Sequence, residues 1–169
     1  MKINVYSLAE TINLIKSDDA GAKRNWVSIR DIGHDELYED ISNICENLCV
    51  IEFDDITCYN VLHNLLHPYF KKTLSNRNLV YFNETLANRI FEFAKNVFDS
   101  GEELNIHCYA GKSRSQAIGY VLNQYFNLYL ESNLIDFERN IKENNSNFMG
   151  NSDVIKVMNK VMIEKWSII

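Results

Sequence analysis

At 169 residues, with 46% hydrophobic and 24% charged side chains, the chain has the size and balance of a single domain with its own core, which excludes dominant disorder. A net charge of −6 argues against a nucleic-acid partner held by phosphate neutralisation and against a polybasic membrane patch. One proline and six glycines leave little linker material, so residues 1–169 are expected to form one catalytic or binding unit.

Ile3-Asn4-Val5 opens a first strand that ends at Ser7, and Ser7-Leu8-Ala9-Glu10 is a capping box ahead of Leu8, Ile12 and Ile15 at helical spacing. Trp26-Val27-Ser28-Ile29 predicts a second strand. Leu37, Ile41, Ile44 and Leu48 mark one face of a helix, and Cys49 to Phe53 predicts a third strand. Val61, Leu62, Leu65, Leu66 and Tyr69 suggest another helix, stopped near Pro68 and Lys71-Lys72. Asn83 caps the next, whose stripe is Leu86, Ile90, Phe93 and Val97, with Gly101 just beyond its end. Leu104 to His107 is a short buried strand, and a long helix follows with Ile118, Val121, Leu122, Tyr125 and Tyr129. Leu134, Phe137 and Ile141, then Val154, Val157, Met158 and Val161, predict two closing helices, and residues 144–151 form the loosest stretch.

Strands alternating with helices predict an α/β fold. Its centre is a mainly parallel twisted sheet of about four to five strands with helices on both faces. Ligands of such sheets bind at the C-terminal strand ends, where the loop between Ile106 and Ile118 lies.

That loop reads His107-Cys108-Tyr109-Ala110-Gly111-Lys112-Ser113-Arg114-Ser115. Small residues between Cys108 and Arg114 let successive backbone N–H groups turn inward as an anion-binding nest, and Gly111 accepts the backbone angles the curl demands. The positive end of the following helix aims at the same spot, and Arg114 adds a planar fork matched to two phosphate oxygens. The same field favours the thiolate of Cys108, the nucleophilic form. A nucleophile inside an oxyanion nest points to phosphoryl transfer.

The string from His107 to Ala117, His-Cys-x-Ala-Gly-x-Ser-Arg-Ser-x-Ala, resembles the signature of the cysteine-based protein tyrosine phosphatase superfamily. It looks like that of the small dual-specificity enzymes and their bacterial and viral relatives. The resemblance implies the fold of that superfamily, no cofactor and no metal. It implies Cys108 as nucleophile and Arg114 as phosphate clamp, with Tyr109, Ala110, Gly111, Lys112, Ser113 and Arg114 forming the phosphate-binding loop. Ser115 would hydrogen-bond the sulfur and ease breakdown of the cysteinyl-phosphate, and His107 would orient the loop and support the thiolate. The low-molecular-weight phosphatases carry their loop near the N-terminus with the acid downstream, an order reversed here.

A phosphate ester also needs a proton for its leaving oxygen. Phe53-Asp54-Asp55 follows the third predicted strand, 53 residues ahead of Cys108 when counted from Asp55, and resembles the acid-bearing turn of the family. Asp55 is the expected general acid and Asp54 the alternate, because a slip of one residue exchanges them.

Cys45, Cys49, Cys58, His63 and His67 form no paired metal motif, so core or surface roles are favoured. The cysteines are expected to be thiols. No apolar run reaches the roughly 18 residues of a membrane span, and no signal peptide opens the chain, so a cytoplasmic protein without stable membrane insertion is expected. Trp26 reads as core, and Arg30 as ending a strand close enough to touch substrate. Lys112 occupies a position where some lipid phosphatases of the superfamily carry a basic residue, but in an acidic chain without a membrane-binding segment a solvent-facing lysine is favoured. The expected partners are therefore a phosphorylated protein or peptide first, with phosphotyrosine ahead, and a phosphoinositide second. RNA comes last.

Overall fold

Every short apolar run read as a strand is one. In the computed structural model, which describes residues 2–17, 23–56, 79–129 and 150–166, β1 is Ile3–Ser7, β2 Asn25–Arg30, β3 Asn47–Glu52 and β4 Leu104–Cys108. They pair in the order β1-β4-β2-β3, all in parallel, so the four C-terminal ends share one edge. β4 lies between β1 and β2, with Cys108 opposite Ser7 and His107 opposite Ser28.

The period of two along each strand divides the interior. Leu104, Ile106 and Cys108 of β4 join Val27, Ile29 and Ile51 in the larger core cluster, which is closed by α3 (Glu84–Asp99), α4 (Arg114–Tyr129) and α5 (Ser152–Val161). Trp26 of β2 faces the other side, where Leu8, Ile15, Tyr38 and Ile41 pack on it from α1 (Leu8–Ser17), a 3-10 turn (Asp35–Tyr38) and α2 (Glu39–Ile44). Helices therefore cover both faces. Trp26, Phe53, Phe91 and Phe126 are fully buried, each contributing on the order of 1.5–3 kcal/mol of apolar transfer.

Local signals are met in atomic detail. The Ser7 amide donates to Glu10 Oε2 at 2.7 Å and the Glu10 amide to Ser7 Oγ at 3.2 Å, the two halves of a capping box. Asn83 Oδ1 accepts from the Leu86 amide at 3.1 Å, and Gly101 beyond α3 takes φ 73°. Asn151 caps α5, in which Val154, Met158 and Val161 are buried.

Three readings are corrected. The helix before β3 stops at Ile44, so Leu48 belongs to the strand, and Leu37 and Ile44 are exposed while Tyr38 and Ile41 carry the buried face. Strict spacing from Leu37 misplaced the stripe because the chain enters α2 through a 3-10 turn, whose period is three. β3 starts at Asn47 and ends at Glu52, leaving Phe53 in the turn beyond. Asn151, placed in the loosest stretch, is 2% exposed. The helices read over 61–69 and 134–141, and Cys58, His63 and His67, lie outside the described residues.

Candidate active site

β4 delivers Cys108 to the middle of the shared edge, where its side chain is 1% exposed. The chain then curls through 109–113 and enters α4 at Arg114. Gly111 makes this curl: its φ is 69°, and a Cβ there would lie 2.7 Å from the Ser7 nitrogen and 2.8 Å from the Tyr6 carbonyl carbon. Only a residue without a side chain lets the loop lie this close to the end of β1. The Leu8 amide reaches back to the Tyr109 carbonyl at 3.1 Å, tying β1 to the loop. The Ser113 carbonyl accepts from the Ala117 amide at 3.0 Å and from the Asn151 amide at 3.2 Å. The first amides of α4 have no intrahelical acceptor and are donors for an anion.

Cys108 Sγ lies 3.1 Å from Ser115 Oγ. Both are buried, so the hydroxyl is the sulfur's immediate polar neighbour. Burial pushes the thiols of Cys45 and Cys49 up from their ordinary value, which leaves both poorer nucleophiles. Cys45, Cys49 and Cys108 are free thiols.

Arg114, 3% exposed, is held by three acceptors. Nη1 donates to the Phe53 carbonyl at 2.9 Å and the Arg30 carbonyl at 3.3 Å, and Nη2 pairs with Asp31 Oδ1 at 2.9 Å. Nε is buried with no hydrogen-bond partner among the described residues; the nearest carboxylate oxygen, Asp55 Oδ2, is 3.7 Å away. Of the guanidinium's N–H groups, those on Nε and one on Nη2 remain, on neighbouring nitrogens spaced to grip two oxygens of one phosphate.

The two aspartates of the turn after β3 have different surroundings. Asp54 is buried and locked to Val80, accepting the Val80 amide on Oδ2 at 2.9 Å while its own amide donates to the Val80 carbonyl at 2.9 Å. Asp55 reaches the loop: its Oδ1 accepts from Ser113 Oγ and from Asn151 Nδ2, each at 2.8 Å. The carboxylate that meets the loop is therefore Asp55. These donors stand 58 and 96 residues away along the chain.

His107 lies in the opposite face of the sheet from Cys108, with the rings of Trp26 and Tyr38 each 6.2 Å away. Burial first, then the Arg30 and Arg114 charges, lower its pKa to about 3. The imidazole is neutral, so it lends the loop no positive charge; what it supplies is packing beneath β4. Arg30 is 7% exposed and is tied to Ser28 Oγ at 3.2 Å and Ser42 Oγ at 2.7 Å, with its guanidinium 5.3 Å from the Tyr38 ring centroid. Its backbone carbonyl accepts from Arg114, and its side chain is taken up by Ser28 and Ser42. Trp26 is core. Tyr109 is 59% exposed and Lys112 is exposed, so both face outward from the loop.

Two residues were missed. Asp31 accepts from both Arg114 and the Tyr38 hydroxyl, the latter at 3.3 Å. Asn151 falls in the stretch read as loosest, and no local pattern marks its bond to Asp55. Among the described residues no group of His, Cys, Asp or Glu gathers as metal ligands, and no helix is long and apolar enough to cross a membrane.

No protein-family model matches the chain, and no curated protein matches it. Solved structures do. The crystal structure of Tk-PTP in the active form matches with a TM-score of 0.54 at 10% identity, covering 97% of this chain and 93% of that one. PTPMT1 in complex with PI(5)P matches with a TM-score of 0.53 at 12% identity, covering 96% and 91%. The chain has the protein tyrosine phosphatase fold. At such identities the likeness is one of backbone, and the chemistry rests on the side chains described above.

Proposed function

We propose that this chain is a phosphomonoester hydrolase that works through a cysteinyl-phosphate, with a phosphoprotein as substrate and phosphotyrosine ahead of phosphothreonine. The observation that carries the reading is the meeting at one strand edge of Cys108, the Arg114 Nε that has no hydrogen-bond partner among the described residues and the Asp55 carboxylate. Cys108 thiolate attacks phosphorus as the bond to the leaving oxygen breaks, and Asp55 gives its proton to that oxygen. Arg114 and the loop amides carry the charge of the remaining oxygens. Water then attacks phosphorus and Asp55 takes its proton. The S–P bond breaks with its electrons returning to sulfur, eased by the Ser115 hydroxyl, and phosphate leaves. Residues 1–169 act as one catalytic domain, and the acidic charge with free thiols supports a cytoplasmic setting.

A second reading, a phosphoinositide phosphatase, draws support from exposed Lys112 on the loop and from the likeness to PTPMT1 solved with PI(5)P. A catalytically silent phospho-binding module is the non-enzymatic alternative. The test is phosphate release in EDTA from a phosphotyrosine peptide, a phosphothreonine peptide and a phosphoinositide, with Cys108→Ser as the blank. Cysteine-dependent release from the peptides is expected. Release from the lipid alone moves the substrate to the second reading, and binding without release makes the chain a phospho-reader.

A further inference from the structure

We propose that Asn151 is a positioning residue that docks Asp55 onto the phosphate loop, an inference that rests on the phosphatase reading above. Asn151 stands at the start of α5, 2% exposed, and each half of its amide has a separate task. Oδ1 accepts the Asp153 and Val154 amides at 3.0 and 3.2 Å, closing the end of the helix. Nδ2 donates to Asp55 Oδ1 at 2.8 Å and to the Ile56 carbonyl at 3.3 Å. The backbone amide of the same residue donates to the Ser113 carbonyl at 3.2 Å. One buried residue thus bonds the turn that bears the acid, the loop that binds phosphate and the helix behind them.

The capping task does not require asparagine, because serine and aspartate cap helices about as well. What only the amide adds is a donor on a second atom, separate from the capping oxygen, and here it points at Asp55. Asp55 needs it: its side chain is 35% exposed, and it sits at the end of a turn whose preceding residue, Asp54, is committed to Val80. With Oδ1 fixed by Asn151 and Ser113, Oδ2 is the oxygen turned toward Arg114 Nε, the side on which a phosphate ester would lie. Holding one oxygen leaves the other aimed for proton transfer, and a small misplacement of such a group costs on the order of a hundredfold in rate.

The experiment uses variants that keep a capping oxygen and remove the Nδ2 arm: Asn151→Asp, and Asn151→Ser in case a second carboxylate beside Asp55 prevents folding. Turnover is measured on a phosphate ester with a poor leaving group and on p-nitrophenyl phosphate, alone and combined with Asp55→Asn. The expected result is a ten- to hundredfold loss in kcat on the poor leaving group, a far smaller loss on p-nitrophenyl phosphate, and an unchanged melting temperature. Adding either Asn151 variant to Asp55→Asn should cost less than a further twofold, because the residue acts through Asp55. Equal losses on both substrates, or losses that multiply with Asp55→Asn, would overturn the proposal. Hydrogen exchange gives a readout independent of turnover. Amides of 53–56 should exchange faster in the variants while those of α5 keep their protection, and unchanged exchange overturns the docking. Failure of the wild-type chain to release phosphate would sink the phosphatase reading alone, with the exchange experiment still deciding the docking.

Discussion

Acidification should weaken this protein through His107. The imidazole is buried beside Trp26 and Tyr38, both ring nitrogens lack a hydrogen-bond partner among the described residues, and its pKa is lowered from 6.5 to about 3. In the unfolded chain the same group protonates near its ordinary value, roughly 6.5. As pH falls, the unfolded state therefore takes up the proton first. Stability that is complete above about pH 6.5 is lost progressively toward pH 3, at about 1.4 kcal/mol per pH unit. Between pH 7 and pH 5 the loss from this group comes to about 2 kcal/mol, a sizeable part of the roughly 5–15 kcal/mol of an ordinary domain. Urea unfolding at pH 7, 6 and 5 measures it, with His107→Gln as the reference that cannot take a charge. The wild type should lose about 2 kcal/mol more than the variant across the window. Parallel slopes for the two proteins would refute a neutral, buried His107.

Asp55→Ala should slow hydrolysis most for poor leaving groups. Asp54→Ala should cost about 1–3 kcal/mol, by stranding the Val80 amide, while preserving the leaving-group dependence. Paired kinetics and melts separate the two, and the reverse pattern would exchange their roles. Gly111→Ala should destabilise the loop by at least about 1–3 kcal/mol, since it combines φ 69° with a Cβ 2.7 Å from the Ser7 nitrogen. A phosphate-binding titration of the variant against the wild type reads the damage at the site. Arg114→Lys should weaken phosphate or vanadate binding sharply, because a point charge cannot replace the fork or reach its three acceptors together. Near-normal affinity would remove Arg114 from the clamp.

Much of the scaffold was legible because its signals are local. Ser7 to Glu10, Asn83 to Leu86 and Gly101 each act within a few residues, so their pattern carries its own geometry. The same holds for the stretch from Cys108 to Ser115, where strand, curl and helix start are contiguous and the sulfur meets a hydroxyl seven residues on. The helix before β3 was less legible, since a 3-10 turn rotates the stripe and no single period describes it.

By itself, the sequence determined the alternation of strands and helices, the parallel sheet and the curl from Cys108 to Arg114 at its edge, all of them set by backbone propensity and short-range spacing. Tertiary structure alone decided which of two adjacent aspartates meets the loop. It also recruited Asp31 to hold Arg114 and Asn151 to hold Asp55, and it turned His107 into a neutral packing residue under β4. Adjacent residues of an extended turn point to opposite sides, so a register slip too small to alter any pattern exchanges Asp54 and Asp55. The partners that select between them lie 26 residues away for Asp54, and 58 and 96 residues away for Asp55. Only the folded chain brings those distances down to a hydrogen bond.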